Sequence, residues 1–590
     1  MLNVTRIFDL LDFCCETYKR TDALASKING EWHKIDYHTY REYVNNLSYG
    51  LLAMGMQKGD TIVTISNNCP EWNFVDMAVA QIGAIHVPIY PTISSSDYEY
   101  ILKHCECKFI FVADNSAYKK VENVAKKINI IKKIISFSNI DNLENIYSII
   151  EKGKKSKIYF KKELDTLKQS INSDDVVSII YTSGTTGLSK GVMLTHNNFV
   201  SNFTSASNVI SKLDKDKDKI ISILPLCHVY ERCFCYMYQY CGIGIYYAQN
   251  LGTIEHDICE IQANGCNTVP RIAEKIIEHI MKDGAKLTGL KKKMFDSAVK
   301  LGKQYEHFNA NGILYNIKHT ILNAFIYNNW KKYYFGGKMK FFGCGGAALP
   351  LSLSRLLWAA GIEVQEGYGL TETSPIIAHS IPCKFGHKFS SVGPIINGVS
   401  VITADDGEIL VKGPNVMKGY FKQPELTAQV FTEDGYFKTG DIGYISTGKF
   451  LHITDRKKDV FKTSGGKYIA PQMLEGKFKE SKLISQIMII GENQKFASAI
   501  ISPNFDELKI LINNNNISNQ DIINNKTVID AIENEVKRIN KLNGKTEEIK
   551  RIRIVADVWS SETGELSQTQ KLKRKVVTEK YDKIIKEIYK

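Results

Sequence analysis

The feature that most constrains this 590-residue chain is a rhythm of short apolar strands alternating with amphipathic helices. Residues 40–54 place apolar side chains at helical spacing and stop before Gly55, and TIVTIS (61–66) reads as a strand. A helix over 73–83, a strand over 85–89 and the strand KFIFV (108–112) continue the pattern. Strands separated by helices return as parallel neighbours, which predicts a doubly wound α/β sheet. The rhythm recurs with a strand at 219–224, a helix at 253–263 and a strand containing Thr268 before Pro270, so two such sheets are expected. From about 284 to 338 the pattern is long, basic and helical, an insertion before a strand at 339–342. Short strands and turns over about 391–440 suggest a small β-subdomain, and the charged, turn-rich stretch 448–466 is the expected hinge. The final helix carries Val577, Tyr581, Ile584 and Ile588 at three- and four-residue spacing. The expected architecture is α/β: a large N-terminal domain (1–456) of two α/β sheets plus the β-subdomain, then a small mobile α+β domain (457–590).

Such a length exceeds what one core organises. The formal net charge of +13 suits ATP, coenzyme A or an anionic membrane surface, and taken alone suits nucleic acid equally. Part of the excess is local: residues 571–590 hold eight Lys/Arg against three Asp/Glu. The thirteen cysteines form no C-x-x-C pair and no zinc-spaced set, which predicts free thiols in a reducing cytosol. The N-terminus lacks the basic and apolar regions of a signal peptide. No uncharged apolar run reaches the ~18 residues that span a bilayer. A cytoplasmic protein is expected, with peripheral membrane contact through the basic tail as a second reading and the oligomeric state open.

The stretch YTSGTTGLSKG (181–191) follows an apolar run at 176–180. Gly184 and Gly187 permit close backbone approach, while Thr182, Ser183, Thr185 and Thr186 supply donors and Lys190 a charge. A strand ending in such a loop suits pyrophosphate oxygens. It is not a Walker loop, because Gly191 stands where the magnesium-binding hydroxyl would follow the lysine.

Further along come PLCHVYER (225–232), FGCGGAAL (342–349), QEGYGLTET (365–373), YFKTGD (436–441), TDRKKD (454–459) and SQTQKLKR (567–574). In this order and at these intervals, the series resembles the AMP-forming acyl-adenylate superfamily. PLCHVYER and the helical insertion look most like its long-chain fatty acyl-CoA synthetase branch. The resemblance covers nearly the whole chain. It implies that a carboxylate attacks the α-phosphorus of ATP, releasing pyrophosphate, and that the thiol of CoA then displaces AMP.

The same resemblance supplies the roles. Glu372 takes the place of the Mg²⁺ carboxylate, with Thr182 near the same ion. Thr371 contacts the α-phosphate and Tyr368, with Gly369, stacks on adenine, which Gly345, Gly346 and Ala347 let approach the backbone. Asp441 accepts the ribose hydroxyls, and Arg456 adds a ribose or phosphate contact. Lys571 is the mobile catalytic lysine, His228 positions the carboxylate, Lys458 lies at the hinge, and Gly465 and Gly466 line the CoA channel. One departure is Gln568, where the family commonly has proline. The implied partners are a medium- or long-chain fatty acid, ATP and CoA, and no nucleic acid. Rival readings keep the adenylation chemistry with another acid or acceptor (an acyl-carrier-protein ligase, an aryl-CoA ligase, a luciferase-like oxygenase) or make the chain a non-catalytic relative. Lys571 and Glu372 argue against the last.

Overall fold

The computed structural model describes residues 3–182, 189–250, 252–383, 385–464, 468–479, 481–541, 548–560, 562–567 and 571–590. Among the described residues both expected sheets are present, each of eight strands. The first runs in the order Gly419–Tyr420, Lys190–Thr195, Val176–Thr182, Ile85–Ile89, Thr61–Ile65, Phe109–Val112, Lys133–Ser136, Glu144–Asn145. Its strands are parallel except where Lys190–Thr195 folds back on Val176–Thr182 and Gly419–Tyr420 extends that edge. Helices cover both faces, so Thr61–Ile65 and Phe109–Val112 are buried along their whole length.

The second sheet runs Ile376–His379, Glu363–Gly369, Phe341–Cys344, Gly265–Thr268, Lys219–Ser222, Gly244–Tyr247, Leu24–Ile28, Glu31–Ile35. It is parallel through its centre and antiparallel at both edges. A four-stranded antiparallel sheet (Ser400–Thr403, Glu408–Lys412, Phe437–Ser446, Phe450–Arg456) follows. It extends past residue 440 because Phe437–Ser446 pairs with Phe450–Arg456. That pairing also converts most of the first half of the expected hinge into strand: a turn at 447–449 joins the two strands, and turn structure resumes at 457–459. A smaller sheet of Ile484–Ile490, Ser498–Pro503 and Arg551–Ile554 organises the C-terminal region.

Two helices depart from the periodicity. Ile146–Ser170 is a 25-residue helix that buries little beyond Ile146, Ile149, Ile150, Gly153 and Leu164, so charge masks its amphipathic face. The single final helix is instead two, Arg574–Lys580 and Asp582–Ile588, broken at Tyr581. Tyr581 donates its hydroxyl hydrogen to Asp557 at 2.6 Å and accepts the Trp559 indole N–H at 3.0 Å. Val577, Tyr581 and Ile588 still face inward, packed with Met488, Ile500 and Trp559.

The two large sheets meet around helices Pro70–Ile82 and Val229–Tyr240, whose residues are almost all buried. Cys233, Phe234, Cys235, Tyr236, Met237 and Tyr238 belong to this shared core. Inside it sits a fully buried ion pair, Asp76 with Arg232. Arg232 also donates to Ser178 Oγ at 2.6 Å and to Tyr236 Oη at 2.8 Å, and Tyr236 donates to Asp76. His86 bridges Asp76 Oδ1 at 2.7 Å and Thr64 Oγ1 at 2.9 Å. Burial pushes the Asp76 pKa up, but Arg232, His86 and Tyr236 outweigh it and hold the carboxyl below its ordinary value. Removing one partner of such a pair strands a charge in the core, at about 3–5 kcal/mol. Arg232→Met is therefore expected to lower unfolding free energy by about 3–5 kcal/mol, with Arg232→Lys a poor rescue because one ammonium cannot reproduce the guanidinium fork. Urea denaturation checks this; a loss under about 1 kcal/mol would mean the pair is dispensable.

Candidate active site

The motif residues collect at the carboxyl ends of the second sheet's parallel strands, where open α/β sheets bind ligands. His228 lies between Lys219–Ser222 and the helix Val229–Tyr240, which it caps. Gly345, Gly346 and Ala347 follow Phe341–Cys344. Tyr368 and Gly369 end the strand Glu363–Gly369, and Thr371 and Glu372 occupy the 3₁₀ turn beyond it. A Cβ on Gly369 would come within 1.6 Å of the Pro375 carbonyl oxygen, so only glycine fits. Side-chain amides brace the turn: Asn202 and Asn415 both donate to the carbonyls of Thr373 and Ile376.

Thr182 and Lys190 pair directly across the hairpin whose tip is the hydroxyl-rich loop. Ser183, Gly184, Thr185, Thr186 and Gly187 lie outside the described residues, as do Gly465 and Gly466. Gly191 has a packing explanation, since a Cβ there would lie 2.8 Å from Ile179 Cγ2. Lys190 Nζ sits 5.1 Å from the Tyr420 ring centroid, and Tyr420 donates to Glu372 Oε1 at 2.9 Å. Tyr420 thus links the loop lysine to Glu372, a connection the motifs do not reveal.

The second half of the site belongs to the four-stranded sheet. Asp441 and Arg456 face each other across its last two strands, with Arg456 Nε 3.0 Å from Asp441 Oδ1. Tyr368 donates to Asp441 Oδ2 at 2.7 Å. Burial raises the Asp441 pKa, against the opposing pull of Arg456, Tyr368 and Lys571. Lys458 is exposed in the turn after Arg456, while its neighbour Lys457 donates to Glu408 at 2.7 Å.

Lys571 enters from the C-terminal region, on a hairpin where its amide donates to Ser567 Oγ and its carbonyl accepts the Ser567 amide. Gln568 lies outside the described residues. The lysine is exposed to solvent, yet enough protein lies around its ammonium to desolvate it. Desolvation, then the Arg456 charge, lowers its pKa to about 8, with Asp441 opposing. His228 lies within the same field: burial and then Lys571 hold its pKa near 4. Its Nδ1 accepts the Tyr230 amide at 3.2 Å, so the neutral ring carries its proton on Nε2. Tyr230, which stands in PLCHVYER but was given no role there, packs its ring against Gly345, where an added Cβ would lie 3.2 Å away. Lys571, Arg456, Asp441, Tyr368 and His228 are therefore one electrostatic group drawn from three parts of the fold.

The AMP-binding enzyme family matches residues 12–421, and the AMP-binding enzyme C-terminal domain matches 458–590. Long-chain-fatty-acid–CoA ligase FadD15 of Mycobacterium bovis is 29% identical over 95% of this chain and 93% of its own length. A chloroplastic long-chain-fatty-acid–[acyl-carrier-protein] ligase of Arabidopsis thaliana is 27% identical over 98% and 86%. The adenylation domain of a Segniliparus rugosus carboxylic acid reductase, solved with AMP and a co-purified carboxylic acid, superposes with a TM-score of 0.73 at 18% identity, covering 99% of this chain and 94% of that one. The chain belongs to the AMP-binding enzyme family, the AMP-forming acyl-adenylate ligases.

Proposed function

We propose that this enzyme activates a medium- or long-chain fatty acid with ATP and transfers the acyl group to CoA, giving acyl-CoA, AMP and pyrophosphate. The observation that carries the reading is the approach of Lys571 to Asp441, Arg456 and His228. The fatty-acid assignment draws on relatives named long-chain-fatty-acid–CoA ligases over nearly the whole chain.

In the first half-reaction a carboxylate oxygen attacks the α-phosphorus, the new O–P bond forms, and the bond to pyrophosphate breaks. Two anions must meet, so the protein's task is to neutralise charge. Protonated Lys571 bridges the carboxylate and the α-phosphate, and Thr371 donates to that phosphate. Arg456 and Asp441 hold the ribose, Tyr368 covers adenine, and Gly345, Gly346 and Ala347 give the ring a close floor. His228, neutral and protonated on Nε2, donates toward the carboxylate. Thr182, Ser183, Gly184, Thr185, Thr186, Gly187 and Lys190 grip the departing phosphates. Glu372 and Thr182 offer one carboxylate and one hydroxyl, a hard-oxygen pair suited to Mg²⁺, which when bound neutralises phosphate charge. In the second half-reaction the CoA thiol attacks the acyl carbonyl and AMP leaves. Rotation about Lys458 withdraws Lys571 and turns Gly465 and Gly466 toward the pantetheine.

Lys571→Ala is expected to cut acyl-adenylate formation by about 10²-fold or more, while thioester formation from supplied acyl-adenylate persists; equal loss of both would sink the role. Because the lysine acts protonated, kcat/KM for ATP in adenylation, which reports the free enzyme, should hold below its pKa of about 8 and fall as pH rises through it. Asp441→Ala should weaken ATP binding about 10- to 100-fold, the scale of charged hydrogen bonds, as read by calorimetry. Pyrophosphate release with acids from short to long chain, aromatic acids included, tests the substrate class. CoA against an acyl-carrier protein as acceptor separates the nearest rival, and activity indifferent to chain length would overturn the fatty-acid reading.

A further inference from the structure

The helical stretch between the last two helix-bearing strands of the second sheet presents an apolar face to solvent. Its central rod runs Ile313–Leu322, a π turn Asn323–Tyr327, then Asn328–Phe335. One side packs inward: Leu322 is buried, Tyr315 donates to the Leu301 carbonyl, and His319 bonds the Ala359 carbonyl. The opposite side carries Ile313, Ile317, Ile321 and Phe325 at four-residue spacing, with Leu314 beside them. These five are 79, 53, 52, 60 and 78% exposed. At 3.6 residues per turn they form one continuous strip with no charged residue inside it. A strip of this size marks an interaction surface rather than ordinary surface scatter.

Charge identifies the partner. Residues 286–338 hold ten lysines against two acids, Asp296 and Glu306, a net +8 of the chain's +13. Lys318 flanks the strip on the same helix, and Lys300, Lys303 and Lys332 are exposed on the adjoining helices. A second copy of the chain meeting this face would set lysines against lysines, whereas an anionic lipid surface complements them. Among the described residues no helix is long and apolar enough to cross a membrane, so the geometry is that of a helix lying in the interface. The basic tail is a weaker candidate, because Val577, Tyr581 and Ile588 already spend its apolar face on the C-terminal core.

We propose that the outer face of Ile313–Phe335 docks this enzyme on anionic phospholipid bilayers, Ile313, Leu314, Ile317, Ile321 and Phe325 entering the acyl boundary and the surrounding lysines meeting headgroup phosphates. The full chain should float with vesicles of phosphatidylcholine containing about 30% phosphatidylglycerol, bind pure phosphatidylcholine far less, and lose binding as salt rises. The double variant Ile317→Asp with Ile321→Asp should lower vesicle partitioning at least about 10-fold. Circular dichroism and adenylation of a water-soluble acid should stay unchanged, since both side chains are exposed. A chain that ignores anionic vesicles overturns the proposal, as does a double variant that binds like the parent. A vesicle-free dimer that the double variant converts to monomer would assign the strip to a second copy instead. Loss of binding from Lys583→Glu, Lys586→Glu and Lys590→Glu with no effect of the double variant would return docking to the tail.

Discussion

The placement of His228 hangs on the buried pairing of Asp76 with Arg232. The two charges come from helices belonging to different sheets, and each is fully enclosed. Arg232 is one helical turn after His228, whose carbonyl accepts the Arg232 amide. Pinning the guanidinium to Asp76, Ser178 and Tyr236 therefore sets the rotation of the helix that His228 caps. Replacing both charges together with well-packed apolar side chains could cost little stability, since desolvation offsets much of a buried pair's attraction, whereas removing one alone strands the other. The double replacement would not fix a single register between the sheets. Directional bonding here constrains geometry more than it adds stability, and the geometry is that of the cleft.

The cleft itself concentrates positive charge. Lys571 and Arg456 face one carboxylate, Asp441, and an imidazole that burial keeps neutral. The lowered Lys571 pKa records that imbalance: desolvation and a like charge outweigh the attraction of Asp441. A phosphate entering between the two cations would relieve their repulsion and restore the lysine's affinity for its proton. Across the cleft, Lys190 is held against Tyr420, whose hydroxyl spends itself on Glu372. The acid and the loop lysine are thus kept apart by an aromatic ring rather than neutralising each other, which leaves both for a third, charged group.

How much of this was legible depends on what each residue's pattern could carry. Strands such as 61–65 and 109–112 are apolar throughout and bounded by helices, so their class and the doubly wound fold were readable from periodicity. The helix Ile146–Ser170 was not, because it buries few residues along a charged length. The break at Tyr581 was hidden for another reason: it coincides with a pair of tertiary hydrogen bonds, to Asp557 and from Trp559, that no local spacing encodes. Most site residues were readable only as members of ordered motifs. Tyr420 gave no such signal, being a single aromatic whose partner, Glu372, lies 48 residues away, and Tyr230 stands inside PLCHVYER but meets Gly345, 115 residues on, through a tertiary contact that the motif does not encode. Gly191 was read against phosphate chemistry, whereas the crowding of Ile179 explains it by packing alone.

The attachment of Lys571 bears on how one site could serve two half-reactions. Arg574, three residues on, is bonded to Glu475 and to the Ile489 carbonyl, both within the C-terminal region. Burial raises the Glu475 pKa to about 7 while Arg574 opposes it, so this tie is internal to that region and moves with it. On the other side of the turn, Lys457 is bonded to Glu408 and Asp406 of the four-stranded sheet. Between Lys457 and the short strand Phe461–Lys462 lie Lys458, Asp459 and Val460. Arg574 comes within 4.0 Å of Asp459, the Gln472 side-chain amide donates to Asp459 at 2.8 Å, and the Gln472 backbone N–H donates to Asp455 Oδ2 at 2.9 Å. A rotation there would break the bond from Gln472 to Asp455 of the four-stranded sheet and would carry the Lys571 hairpin away from His228 and Asp441. Stiff anchoring on both sides of a three-residue turn is what a two-position device requires, because it concentrates the change in backbone angles where little else is lost.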